Sequence, residues 1–213
     1  MQLDRTTDRF VQYGCGLSAP AGWRNFDASP TLRAKRAPVL GMLLRRVGAP
    51  FPDNVEFGDV TRRLPIADGA TEMVYCSHVL EHLPLDGLRA ALVETLRILR
   101  PGGTFRLVVP DLEQLIDAYK ASNDDDAAVK FVRDTIMGQE TRPRGLGASL
   151  RDMLGNAQHR WMWDYKALAA ELRAAGFVDI RRARFGDNPD PALAVIEDES
   201  RWTDCLGIEC RKP

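Results

Sequence analysis

The chain has 213 residues, enough for one globular domain with a sizeable core and too few for two full-sized domains with separate tasks. Its 29 Lys and Arg residues balance 30 Asp and Glu residues, and the net charge of -1 excludes a strong overall attraction to nucleic acids or anionic membranes. We therefore expect a single domain over residues 1–213, with no nucleic-acid partner and no membrane partner.

The cysteines indicate a reducing compartment. There are four, none in C-x-x-C spacing, at Cys15, Cys76, Cys205 and Cys210. The first residues, Met1 to Arg5, are polar and lack the apolar run of a signal peptide, and no later stretch is long enough to cross a bilayer. We therefore expect a cytoplasmic protein.

Apolar runs alternate with amphipathic segments along the whole chain, which is typical of strands and helices around a mostly parallel sheet. Seven segments have the composition of strands, and we predict them at 9–13, 23–26, 55–59, 73–77, 105–109, 177–184 and 204–211. We expect the last two strands to pair with each other near one edge of the sheet.

Helices are predicted between these strands. Ser29 followed by proline is a favourable helix start, and this helix is predicted to run to about Val47. A second helix has its leucines on one stripe, at Leu85, Leu88, Leu92, Leu96 and Leu99. Two more are predicted at 112–120 and between Asp164 and Gly176.

Residues 121–160 are polar and are interrupted by glycine and proline. Such excursions beside the carboxyl edge of a sheet commonly cover a ligand, and we predict a helical cap insertion here. We expect this cap and the loop 185–202 to shape an acceptor pocket.

The turn after the first predicted strand reads Tyr13-Gly14-Cys15-Gly16, and the second strand is followed by Asp27. A glycine turn lets a ligand approach the backbone, and a carboxylate accepts both hydroxyls of a ribose. The turn also satisfies G-x-G-x-x-A, the dinucleotide fingerprint. However, Pro20 and Gly22 interrupt the helix that would bind a pyrophosphate, and Asp27 comes earlier than the spacing of about 20 residues seen in dehydrogenases. The sequence therefore favours a nucleoside cofactor without a pyrophosphate.

An ordered series of short motifs carries a family resemblance over roughly the first half of the chain. The motifs are Tyr13-Gly14-Cys15-Gly16, Asn25-Phe26-Asp27, Gly58-Asp59, Leu64-Pro65-Ile66, Asp68-Gly69, Ser77 to Leu83, Leu99 to Gly103 and Val108 to Asp111. With them the chain resembles the class I S-adenosylmethionine-dependent methyltransferases of the type 11 group. The resemblance implies a Rossmann-like, doubly wound α/β fold, a mostly parallel seven-stranded sheet with an antiparallel edge strand, and S-adenosylmethionine as cofactor.

The resemblance also implies contacts for the cofactor. Residues Tyr13 to Gly16, including Gly14 and Cys15, would meet its methionine part, and Asp27 its ribose. Asp59 and the Val60 amide would hold the adenine edge. Ser77 and His78 would lie near the reactive methyl, with His82 packed beneath the cofactor. Two alternatives stay open: Gly14 and Gly16 as ordinary turn glycines, and Asp59 as an N-cap.

One feature departs from the usual crossover between parallel strands. Only residues 17–22 separate Gly16 from Trp23, whereas such a crossover normally takes about a dozen residues with its helix. We therefore expect the first helix to be absent or reduced to a turn.

The sequence from His78 to His82 matches H-x-x-E-H, the inverted zinc-protease motif. On a helix the two histidines would share a face and could bind zinc, with Glu81 as base. The motif is followed at once by Leu83-Pro84, and His159 is the only other histidine. We therefore expect no metal, and a His82 that is packed and hydrogen-bonded.

His159 is the leading candidate for a general base, with His78 as the second, because histidine titrates near neutral pH. Trp161 and Trp163 could form an acceptor wall next to the sulfonium or serve as core anchors. The expected activity is methyl transfer to oxygen or nitrogen of a small-molecule acceptor, of sugar or natural-product type. The alternative is a non-catalytic domain that binds S-adenosylmethionine or regulates a partner.

Overall fold

The computed structural model describes residues 8–30, 32, 51–141 and 158–213. Within them lies one seven-stranded sheet, in the order β3-β2-β1-β4-β5-β7-β6. The strands are β1 (Phe10–Tyr13), β2 (Arg24–Asp27), β3 (Val55–Phe57), β4 (Thr71–Ser77), β5 (Leu99–Pro110), β6 (Val178–Ala183) and β7 (Cys205–Arg211). Strand β7 runs antiparallel to both β5 and β6, and the other pairs are parallel. The predicted sheet and the pairing of the last two strands are confirmed.

Five described helices accompany the sheet. They are α1 (Leu85–Ile98), α2 (Leu112–Ala121), α3 (Ala127–Asp134), α4 (Tyr165–Ala175) and α5 (Pro191–Ala194). Short 3-10 turns occupy Leu80–His82 and Glu199–Arg201. Among the described residues, no helix has the length and apolar character needed to span a bilayer.

Side chains and glycine set the helix ends as the sequence predicts. The Asp164 carboxylate accepts the Ala167 N–H at 2.7 Å, and Gly176 ends α4 with φ of 104°. The Leu32 N–H donates to Ser29 Oγ at 3.2 Å, as expected of an N-cap. The rest of the predicted helix, residues 33–47, lies outside the described part of the chain.

Strand β5 begins earlier than the sequence predicts. Leu99 pairs with Thr71 of β4 and Thr104 pairs with Met73, so residues 100–103 bulge out between the two pairs. Glycine makes this bulge possible because Gly102 has φ of 72°. Residues 100–103, which follow the leucine helix, therefore form an irregular start of the strand.

The two faces of the sheet are covered by different segments. Buried side chains of α1 and α4, including Leu92 and Leu168, pack on one face in the largest core cluster. On the other face, Leu193 and Ile196 pack with Trp23, Met73 and Tyr75. The loop 185–202, expected to shape an acceptor pocket, thus supplies core residues to the back of the sheet.

The first crossover contains no helix, which confirms the prediction. Residues 14–23 form turns between β1 and β2, held by the Cys15 N–H, which donates to the Phe26 carbonyl at 3.1 Å. Trp23, just before β2, donates its Nε1–H to the Ala192 carbonyl at 3.2 Å. The segment around α5 therefore covers the sheet face beside the shortened crossover.

Candidate active site

A cavity of about 810 Å³ opens at the carboxyl ends of the central strands. Residues that follow β1, β2, β3 and β4 line it. The strand order reverses between β1 and β4, which is the place where open α/β sheets bind ligands. Its volume suits a nucleoside cofactor and a small second molecule.

Gly14 gives this cavity a wall of bare backbone. It has φ of 65°, and a Cβ added to it would lie 2.1 Å from Cγ2 of Val79, so that no side chain fits there. Both residues line the cavity. The Val79 side chain fills the space beside the Gly14 backbone, and contact of this turn with a ligand stays a prediction.

Asp27 is held at the cavity wall by two backbone amides. Its Oδ2 accepts the Gly16 N–H at 2.9 Å, and its Oδ1 accepts the Ser29 N–H at 2.8 Å. Each carboxylate oxygen keeps a further lone pair, so the group is positioned to accept from a diol. Gly16 thus lies behind Asp27 and is not part of the cavity lining.

Asp59 caps a turn and also lies at the cavity. Its Oδ1 accepts the N–H of Thr61 at 3.0 Å and the hydroxyl of Thr61 at 2.6 Å, which caps the turn after β3. Asp59 and Val60 also line the cavity. The preceding Gly58 is required by packing, because an added Cβ would lie 2.5 Å from the Phe26 ring.

His78 is placed at the cavity with both ring nitrogens near polar groups. Its Nε2 lies 3.0 Å from the Arg201 carbonyl, and its Nδ1 lies 3.4 Å from Oε1 of Glu81. Burial lowers the pKa of this imidazole, but the Cys205 thiol, the Glu81 carboxylate and the Arg201 carbonyl outweigh burial and raise the pKa to about 10. A histidine that is already protonated at neutral pH has no lone pair for use as a general base.

The segment 158–163 is tied to the turn after β4. The N–H groups of Arg160 and Trp161 both donate to the Glu81 carbonyl, at 2.7 and 3.0 Å. His82 Nδ1 lies 3.1 Å from the Gln158 carbonyl, so His82 is hydrogen-bonded as predicted. These bonds bring His159 next to His82, with ring centroids 4.9 Å apart.

His159 is buried behind His82, with 7% of its surface exposed, and is not part of the cavity lining. Burial lowers the pKa of His159, so its imidazole is neutral. The protonation state suits a base, but the position gives no access to a substrate in the cavity. The interpretation of His159 as the base therefore lacks the contact that it requires.

The tryptophans divide between core and surface. Trp163 is 2% exposed, and its carbonyl accepts the Leu112 N–H at 3.0 Å, which confirms the core-anchor alternative. Trp161 is 40% exposed, and neither ring lines the cavity.

Two other predicted cofactor residues are not part of the cavity lining. Cys15 packs with Leu32 and Val55, and burial raises the pKa of its thiol to about 12. The Ser77 hydroxyl accepts the Arg201 Nε–H at 3.0 Å.

The cavity lining thus brings together most of the predicted cofactor residues: Tyr13, Gly14, Asp27, Asp59, Val60, His78 and His82. It does not include Cys15, Gly16, Ser77 or His159. Direct contact of any of these residues with a cofactor stays a prediction.

The lining also includes two charged residues that the sequence did not single out, Asp86 in the first turn of α1 and Arg160. The sequence carried a weak signal for each of them, because Asp86 lies at a predicted helix start and Arg160 is a basic residue next to His159.

Comparison with known proteins gives one family match. A family model described as a methyltransferase domain, type 11, matches residues 27–107. This stretch includes Asp27, Asp59 and the turn that contains His78. No curated protein matches the sequence significantly.

Solved structures share the fold at low sequence identity. A methyltransferase from Thermotoga maritima, described as a possible histamine N-methyltransferase, is 16% identical with a TM-score of 0.51, over 96% of this chain and 82% of that chain. A possible exported protein from Bordetella parapertussis is 15% identical with a TM-score of 0.50, over 97% of this chain and 62% of that chain. Phosphoethanolamine N-methyltransferase 2 from Haemonchus contortus, solved with S-adenosyl-L-methionine, is 14% identical with a TM-score of 0.49, over 98% and 49% of the two chains.

Proposed function

We propose that this chain is a class I S-adenosylmethionine-dependent methyltransferase and that it methylates an oxygen or nitrogen of a polar small molecule, of sugar or natural-product type. The family match over residues 27–107 supports this proposal. The observation that carries the proposal is the cavity at the switch point of the sheet, with the Asp27 carboxylate fixed on its wall. The family match favours an enzyme over the non-catalytic alternative.

The residues on the wall fit S-adenosylmethionine part by part. The Gly14 backbone, which lines the cavity, would meet the methionine portion, and Asp27 would accept the ribose hydroxyls. Asp59 and the Val60 amide would hold the adenine edge. The bound cofactor supplies a methyl group already activated by a positively charged sulfur. The chain then contributes mainly alignment and exclusion of water, so it needs no nucleophilic side chain.

The charged residues in the cavity lining support the proposal that the methyl acceptor is a polar molecule. Asp86 and Arg160 are both exposed and both line it, so they are available to a hydroxyl, amine or anionic group. The pKa of His78 is raised to about 10 by the Cys205 thiol, the Glu81 carboxylate and the Arg201 carbonyl, which disfavours His78 as a base. An amine acceptor would need no strong base, whereas a hydroxyl acceptor would need another source of activation.

We also propose a cytoplasmic location. It is supported by the four cysteines, all of which lie in the described residues and none of which forms a disulfide.

The test measures cofactor affinity before any acceptor is known. Calorimetric titration with S-adenosylhomocysteine should show one site per chain. Asp27→Ala should weaken binding by about tenfold or more, the order expected for losing charge-assisted hydrogen bonds. The matched control is Asp53→Ala, an exposed aspartate outside the cavity lining, which should bind like the wild type.

Methyl transfer is then assayed by release of S-adenosylhomocysteine against a panel of sugars, amines and phenols. Lack of binding at sub-millimolar cofactor would refute the proposed function. Equal affinity in Asp27→Ala would remove Asp27 from the site.

A further inference from the structure

Glu81 is a buried carboxylate without a hydrogen-bond donor. Its side chain is 1% exposed, and neither oxygen accepts a hydrogen bond from any residue that the structure describes. His78 Nδ1 lies 3.4 Å from Oε1, close enough for charge attraction but without hydrogen-bond geometry. A buried charge is costly unless it is paired and hydrogen-bonded or coordinates a metal ion. Both oxygens of Glu81 are therefore free to act as metal ligands.

Two histidines complete a cluster around Glu81. One ligand atom from each of Glu81, His82 and His159 lies within 4.8 Å of the other two. Metal bonds of about 2.1 Å place tetrahedral ligands about 3.4 Å apart, so side-chain shifts of about 1 Å would close the set. His159 is itself more than nine-tenths buried, and its Nδ1 has no hydrogen-bond partner among the described residues.

Backbone groups leave one nitrogen of each ring available. A carbonyl only accepts, so His82 must donate its Nδ1–H to the Gln158 carbonyl, which leaves the Nε2 lone pair free. His159 forms a hydrogen bond with the Thr135 backbone, and since Nδ1 is the unpartnered atom, that bond uses Nε2. Metal-binding histidines commonly have this arrangement, with the second ring nitrogen held by a carbonyl.

We propose that Glu81, His82 and His159 bind a divalent transition metal ion, with Zn²⁺ as the best match. Two imidazoles and one carboxylate form the three-ligand set of zinc sites that keep a fourth position open. Imidazole ligands favour such an ion over Ca²⁺ or Mg²⁺, which prefer oxygen.

The expectation of no metal at H-x-x-E-H was based on Leu83-Pro84, which ends the motif, and on the single further histidine, His159. In the structure residues 80–82 form a 3-10 turn, and His159 supplies the second imidazole. The distant histidine, which the sequence pattern cannot place, is what completes the set.

The site adjoins the cavity through His82, which belongs to both. The open coordination position would take a hydroxyl oxygen of the acceptor, and a bound metal ion makes such a hydroxyl lose its proton more readily. This role rests on the proposed methyl transfer to oxygen. The metal site itself does not depend on that function.

The experiment uses the full chain, freed of metal with a chelator and titrated calorimetrically with ZnCl₂, with MgCl₂ as comparison. We expect one Zn²⁺ per chain, and affinity reduced about tenfold or more in Glu81→Gln and in His159→Gln. The matched control is Asp125→Asn, in the exposed acidic run 124–126, which should bind like the wild type. Circular dichroism melting of each metal-free variant checks folding. Co²⁺ added to the wild type should give visible absorption bands that Glu81→Gln lacks.

Absence of saturable one-to-one Zn²⁺ binding by the wild type would overturn the proposal. Unchanged affinity in both ligand variants would do the same, because it would place the ion elsewhere, such as at the cysteines or the acidic run. Titration with S-adenosylhomocysteine separates the two proposals. Cofactor binding without Zn²⁺ binding removes the metal site alone, and Zn²⁺ binding without cofactor binding removes the methyltransferase function alone.

Discussion

Replacing Gly14 with alanine tests whether the cavity wall depends on the missing side chain. The backbone there has φ of 65°, a conformation that costs an L-residue about 1–2 kcal/mol. The new Cβ would also lie 2.1 Å from Cγ2 of Val79, and relieving such overpacking typically costs about 1–3 kcal/mol. We expect Gly14→Ala to lower the free energy of unfolding by about 2–5 kcal/mol, the sum of both costs. Cofactor affinity should fall as well, because Val79 lines the cavity.

Gly16→Ala is the matched control. Gly16 has φ of 55°, but an added Cβ meets nothing within 4 Å, so only the backbone cost applies. The two variants should differ by the packing cost, about 1–3 kcal/mol. In the double variant Gly14→Ala/Val79→Ala only the 3.2 Å contact with Cβ of residue 79 remains, so its destabilisation should be smaller than the sum of the single effects.

Urea unfolding followed by tryptophan fluorescence measures the free energies, and titration with S-adenosylhomocysteine measures affinity. Equal destabilisation by Gly14→Ala and Gly16→Ala would refute the reasoning. Strict additivity in the double variant would also refute it, because it would mean that Val79 does not sense the new methyl group.

Further predictions concern the back of the sheet and one helix cap. Arg106→Met should cost about 3–5 kcal/mol in urea unfolding, because the fully buried guanidinium pairs with buried carboxylates such as Glu197, which would lose their counter-charge. Burial raises the pKa of Asp187, but hydrogen bonds from Arg181, the Arg184 amide and Arg106 outweigh burial and lower the pKa. The Asp187 carboxylate therefore stabilises the fold above its unfolded pKa of about 3.9, and this stabilisation is lost as the pH falls. The stability gap between wild type and Asp187→Asn, measured at several pH values, should therefore shrink on acidification; a constant gap would contradict the assignment. Leu193→Ala should cost about 2–5 kcal/mol in unfolding yet leave cofactor affinity unchanged, since Leu193 is 1% exposed on the face opposite α1. Asp164→Ala should lower the free energy of unfolding by about 1 kcal/mol through loss of the α4 N-cap. An unchanged melting curve would show that Asp164 does not stabilise the helix as a cap.

The local sequence determined the strands, the described helix caps and the glycine turn. These features follow from short-range chemistry: apolar periodicity selects strand or helix, Asp164 and Ser29 satisfy amides within their own turn, and Gly14 adopts a positive φ. The short spacing between Gly16 and Trp23 likewise predicted a crossover without a helix. Asp27 was predictable at the cavity because parallel strands end at one edge of the sheet.

Only the tertiary structure decided which distant segments meet. Loop 185–202 was expected to shape the acceptor pocket; its Leu193 and Ile196 pack on the back of the sheet, and its Arg201 carbonyl reaches His78 at the cavity. His159 was expected to face the methyl group but is buried beside His82, because the Glu81 carbonyl binds the amides of the neighbouring segment. Contacts between residues so far apart in sequence depend on how whole elements pack, which neither periodicity nor motif spacing specifies.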